Sequence, residues 1–133
     1  MLPVGTLAEI PDLPRLQGAI EIDGVLDKAE WAGAAIVHLD VETSPAENGP
    51  AAVATTVYLI EDGENLYIGF DAKDPNPQAI RAYMRDRDSL WNDDHVGIAL
   101  DTYNDGRRAF QFYANPLGVQ MDKILNDVRS GGN

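Results

Sequence analysis

A chain of 133 residues with 22 acidic and 10 basic side chains carries a net charge of −12, which repels phosphate backbones and anionic lipid heads and so excludes nucleic acid and direct membrane insertion as expected partners. With 44% hydrophobic and 24% charged residues its usage is ordinary for a globular protein, and its length suits one domain whose core needs no covalent staple. No cysteine is present, which rules out disulfides, thiolate catalysis and cysteine-based zinc sites. Fifteen of the acids are Asp and seven are Glu, no Glu follows Glu64, and only three bases are Lys. Short carboxylates suit turns and strand ends, where they bond their own backbone, whereas a helical protein favours Glu and Lys.

Residues 1–18 hold Pro3, Pro11 and Pro14 and predict an extended lead-in, loosely tied. No apolar run in the first twenty residues would serve as a signal peptide, so an exported parent is expected to have lost its leader before Met1. Ala19–Ile22 is a short strand candidate, closed by an Asp23-Gly24 turn. One helical turn with Trp31 as a core residue is expected within Leu26–Ala35, then a strand at Ile36–Val41 and a loop over Thr43–Pro50. Val53–Ile60 and the alternating Leu66–Lys73 form a hairpin around a Gly-containing turn, with Leu66, Ile68, Phe70 and Ala72 on the buried face. Pro75 and Pro77 end it.

Gln78–Leu90 breaks the alternation and predicts a loop with a helical turn. Two more strands follow, one with Val96, Ile98 and Leu100 as its apolar row and one with Phe110, Phe112 and Ala114, joined through Asn104-Asp105-Gly106. Pro116-Leu117-Gly118 turns the chain into a last strand ending near Leu125. Seven or so short strands at this spacing predict an all-β antiparallel sandwich, jelly-roll-like, over residues 19–133.

The outward rows carry the functional signal. His95, Gly97, Ala99 and Asp101 alternate with one apolar row, Gln111, Tyr113 and Asn115 with the next, and Tyr67, Gly69 and Asp71 with that of the hairpin. If these strands share a sheet they make a surface of small, amide and aromatic residues edged by Trp91. Sugar recognition needs such a surface, because a pyranose offers an apolar C–H face for stacking and hydroxyls for paired hydrogen bonds.

Four blocks in order resemble family 9 carbohydrate-binding modules: Ile22–Asp27 with Glu30-Trp31; Glu64–Phe70 with Lys73-Asp74-Pro75; Trp91–Val96 through Leu100-Asp101; and Phe110–Asn115. The resemblance covers roughly residues 19–125 and implies a β-sandwich that binds carbohydrate without catalysis. Arg107–Phe110 and Asn115–Asp122 are also similar to the amino-terminal module of large Gram-negative envelope proteins that carry a predicted outer-membrane barrel. That similarity implies a periplasmic, cell-envelope or secreted location. Trp91 matches one wall of the family's aromatic clamp and Asn115 an amide that bonds sugar hydroxyls, while Gly97 and Tyr113 stand where sugar-binding members have a glutamate and an arginine. The chain ends at Asn133 before the family's closing strands and the clamp's second wall. The sandwich is therefore expected to be incomplete at its C-terminal end, with an open edge that pairs with the rest of the parent chain or a second copy.

The expected ligand-binding set is Trp91, Asp94, Gln111, Tyr113 and Asn115, and the alternative is a sugar-independent accessory module serving an outer-membrane barrel. Asp86, Asp88 and Asp93, with Asp94 beside them, form an oxygen-rich loop that could take calcium, against which Arg85 and Arg87 offer simple ion-pair partners. No catalytic residues are expected. Glycoside hydrolysis needs two carboxylates facing each other at about 5 to 9.5 Å, whereas the adjacent Asp93 and Asp94 point apart on a strand. No serine sits in a nucleophile elbow.

Overall fold

A computed structural model describes residues 12–42, 49–84, 86–89 and 91–126, apart from the side chains of residues 42 and 52. The fold is all-β, as the alternation predicts: two antiparallel three-stranded sheets, with no α-helix among the described residues. No helix there is long and apolar enough to cross a membrane. The chain divides into two compact units, Met1–Pro75 and Asn76–Asn133.

In the first unit, β1 (Ala35–Glu42), β2 (Gly49–Glu61) and β3 (Leu66–Lys73) pair in sequence order. Pleating puts Val37, Val57, Leu59, Ile68 and Phe70 on one face and Ile36, Tyr58, Ile60 and Gly69 on the other. Both faces are covered in part. Over the second face lies the segment Leu26–Ala34, wound into a turn by Asp27, whose carbonyl accepts from the Trp31 N–H at 3.1 Å and whose carboxylate accepts from the N–H groups of Ala29 and Glu30 at 2.9 and 3.2 Å. Trp31 is 7% exposed, the core position its setting predicts.

Gly69 was expected on an exposed row, and here the structure corrects the expectation. A Cβ at Gly69 would lie 2.6 Å from Leu26 Cδ2 and 3.3 Å from the Trp31 ring, so the missing side chain is the socket for both.

The hairpin turn between β2 and β3 is organised by Asp62. Its carboxylate accepts from the N–H of Glu64 at 2.9 Å, the Tyr67 hydroxyl at 2.7 Å and the N–H of Asn65 at 2.7 Å, which hold its carboxyl well below the usual carboxylate range. The lead-in is held more firmly than the prolines suggest. Leu16 N–H donates to the Glu61 carbonyl at 2.7 Å, Glu61 N–H donates to the Pro14 carbonyl at 3.1 Å, and Arg15 pairs with the Glu61 carboxylate at 2.7 Å. Arg15, rather than Ala19–Ile22, makes the extra bridge to β2. Residues 1–11 and most of the predicted 43–50 loop lie outside the described residues.

In the second unit a 3-10 turn, Pro77–Ala79, precedes β4 (Val96–Leu100), β5 (Arg108–Ala114) and β6 (Gln120–Asn126), again paired in order. Asp101 closes the β4–β5 connection, its carboxylate accepting from Gly106 N–H at 2.8 Å, and this bond holds its carboxyl low. Beyond β6, the Asp88 N–H donates to the Gln120 carbonyl and the Asp88 carboxylate accepts from the Asp122 N–H, both at 3.1 Å. Arg87 reaches the side chains of Gln120 and Asp122. Strand β4 is the other outermost strand of this sheet.

Candidate functional site

The register of the second sheet sets its candidate face. Gly97, Tyr113 and Met121 lie in one cross-strand row, and Ala99, Gln111 and Lys123 in the next. Just before β4, His95 and Trp91 complete a ring cluster with Tyr113. The centroids are 6.1 Å apart for Trp91 and His95, 5.5 Å for Trp91 and Tyr113, and 5.5 Å for His95 and Tyr113, all tilted or edge-on. Those separations fall within the range in which aromatic pairs attract beyond simple area burial. Trp91 remains 56% exposed, while Tyr113 is anchored on buried Met121 and Val119. The Lys123 ammonium sits over Trp91 at 5.6 Å from the ring centroid.

His95 has a defined tautomer. Its Nδ1 lies 2.8 Å from the Asp93 carbonyl, and since a carbonyl oxygen only accepts, Nδ1 carries the proton. In the neutral ring Nε2 is therefore an acceptor, suited to a hydroxyl donor.

Gly97 and Tyr113 are coupled by close approach. A Cβ there would lie 2.3 Å from Tyr113 Cδ1 and 2.6 Å from Cε1, so the Tyr113 ring occupies the space a side chain at 97 would need. A glutamate at 97 and a tyrosine ring in this position exclude each other.

Of the expected ligand set, Trp91, Tyr113 and Gln111 share this face. Asp94, which directly precedes His95, is tied instead to Arg81, with Oδ2 accepting from the Arg81 N–H at 2.8 Å and its own N–H donating to the Arg81 carbonyl at 2.7 Å.

Asn115 does not belong to the exposed set. It is 5% exposed; its amide donates to the Tyr83 carbonyl at 3.0 Å and the Asp93 carboxylate at 3.1 Å, and its carbonyl accepts from the N–H groups of Leu117 at 3.0 Å and Val119 at 2.9 Å. All four hydrogen-bonding capacities are used, each bond contributing about 0.5–1.5 kcal/mol net, so a sugar hydroxyl has nothing to gain there. The amide builds the turn into β6.

Tyr67, Gly69 and Asp71 stand in the other sheet and are not neighbours of these residues within one sheet. The calcium grouping is not assembled either. Asp93 is buried and bonded to Tyr83 N–H and Asn115, Asp88 is turned to β6, and among the described residues no three acidic or histidine side chains gather as a metal ligand set, Asp86 included. Arg85 lies outside the described residues.

His95 and Lys123 are the members of the cluster that the expected ligand set omits. Lys123 was within reach of the sequence: reflecting the chain about Leu117, the centre of the predicted turn, pairs Gln111 with Lys123.

Two antiparallel three-stranded sheets, one of them carrying an exposed indole steadied by a tyrosine and a histidine, define an all-β module. The sequence profile of the family described as "Carbohydrate family 9 binding domain-like" matches residues 22–125, and the chain belongs to that family. Comparison with curated proteins finds no match, and neither does comparison with solved structures.

Proposed function

We propose that this domain is a non-catalytic carbohydrate-binding module of a larger envelope or secreted protein, stacking a sugar on Trp91. The observation that carries it is the contrast in exposure at Trp91, an open indole whose edges are held by His95 and Tyr113. A pre-positioned ring loses little rotamer freedom on binding, which favours a weakly hydrated ligand face such as that of a pyranose. Gln111, the Tyr113 hydroxyl and His95 Nε2 supply hydrogen bonds to hydroxyls, and Asp94 flanks them.

Titration of gluco-, xylo- and galacto-oligosaccharides against tryptophan emission tests this. The response is expected in the wild type and in Trp31→Phe, and is expected to vanish in Trp91→Phe. A flat response to every sugar removes the proposal.

A sugar-independent accessory role beside an outer-membrane barrel is favoured by a different observation. Phe112 and Ile124 are exposed on the opposite face of the second sheet, whose outermost strand β4 offers backbone groups for pairing. Co-purification with the rest of the parent chain or self-association, abolished by a proline at Ile98 in β4, would support it over sugar binding.

A further inference from the structure

We propose that the sugar taken by the Trp91 face is an acidic one, a pyranose bearing a carboxylate, and that Lys123 selects it. The inference rests on the carbohydrate-binding proposal above and names its ligand class.

No acid stands at the strand positions of this face, in an acidic chain. These positions are Gly97 and Ala99 on β4, Ala109, Gln111 and Tyr113 on β5, and Met121, Lys123 and Leu125 on β6, in a protein with 22 carboxylate side chains. The acids that flank it are already engaged. Asp93 is buried against Asn115, Asp94 accepts from the Arg81 N–H, and Asp101 accepts from the Gly106 N–H.

Lys123 is the complementary half. Arg15, Lys73 and Arg87 each have a carboxylate partner, whereas Lys123 makes no ion pair among the described residues and rests over the Trp91 ring. The net charge of −12 repels an extended polyanion, but exposed charges more than about 8 Å from the ammonium are largely screened at physiological ionic strength and act only weakly on a single carboxylate placed beside it. A neutral sugar stacking on that side of Trp91 must displace the ammonium and offers it hydroxyl oxygens but no opposite charge. A uronate stacked there gives the same ammonium a carboxylate acceptor, so that donor and acceptor both carry charge and the hydrogen bond is also an ion pair. The flexible four-carbon stem lets the ammonium leave the ring face and follow the carboxylate.

Calorimetric titration with an oligogalacturonide and with its fully methyl-esterified form, identical in ring and linkage but uncharged, tests this. The wild type is expected to bind the free acid about tenfold more tightly, the factor that one charge-assisted contact of about 1.4 kcal/mol supplies. Lys123→Gln is expected to bring the two affinities within about twofold of each other by weakening the acid alone, and Lys123→Arg to keep the preference. Equal affinity for acid and ester, or a preference that survives Lys123→Gln, overturns the inference while leaving carbohydrate binding intact. Absence of binding by both forms together with the neutral gluco- and xylo-oligosaccharides overturns both proposals, whereas neutral sugars binding alone overturns only this one.

Discussion

The two sheets repeat one local device and put it to opposite uses. Each places a glycine directly across from a tyrosine, Gly69 opposite Tyr58 and Gly97 opposite Tyr113, and each sets a tryptophan against that tyrosine, at 6.3 Å for Trp31 and 5.5 Å for Trp91. In the first sheet the space above the glycine is filled from outside by Leu26 and Trp31. In the second the tyrosine folds over its own glycine, which leaves the tryptophan at the top of the cluster and open. What decides between a core and a platform is which side chain fills the glycine's socket.

The strongest way to break the comparison is at Trp31. Replacing it by alanine removes a 7%-exposed ring from over Gly69 and is expected to destabilise by about 3–5 kcal/mol in urea unfolding. A loss below about 1 kcal/mol, the scale of a surface substitution, would mean that Trp31 is not the plug of the first sheet.

Gly97→Ala probes the second sheet more gently. The new methyl meets the Tyr113 ring and lies 3.1 Å from the Phe112 carbonyl, so a cost of about 1–3 kcal/mol is expected, offset in part by the smaller entropy of the unfolded chain. Because the Tyr113 ring must move, the emission of Trp91 should shift as well. An unchanged spectrum with unchanged stability would show that the ring does not depend on that glycine.

The hairpin turns sharpen the comparison with the smallest effect. Asp62 in the first sheet and Asp101 in the second both have carboxyls held below the ordinary aspartate value of 3.8, chiefly by backbone N–H donors, from Glu64 and Gly106 respectively. A depressed folded value stabilises above the unfolded value and is lost as pH falls through the folded one. Melting temperature should therefore decline as pH drops below about 4, and Asp62→Asn should flatten that decline more than Asp101→Asn, since the side chains of Tyr67 and Asn65 add to the backbone donors on Asp62 whereas Asp101 is held by backbone N–H groups alone. Equal flattening by both variants would place the two turns on the same footing.

Strand positions were open to the sequence because alternation with period two is a local property. Leu66–Lys73 and the rows Val96, Ile98, Leu100 and Phe110, Phe112 fall in β3, β4 and β5 where the pattern places them. The Asn104-Asp105-Gly106 and Pro116-Leu117-Gly118 turns needed only residues that accept positive φ, which Asn104, Gly106 and Gly118 adopt. Trp31 could be assigned to the core from its apolar neighbours, and Trp91 to an edge from its polar ones.

Asn115 shows where that legibility stops. Its amide is as suited to a sugar as to a turn, and only the convergence of Tyr83, Asp93, Leu117 and Val119 on it commits it to the turn. The lead-in is similar, since nothing local announces that Pro14 and Leu16 bond to Glu61, a partner distant in the chain.

By itself the sequence determined the all-β class, most strand limits and the aromatic character of one surface, because pleat and turn preferences act over a few residues. Tertiary structure alone decided that β3 and β4 belong to different sheets, that Gly69 is a filled socket, and that Lys123 meets Trp91. Those outcomes depend on which distant segments meet, and alternation specifies the face a side chain takes without specifying what will cover it.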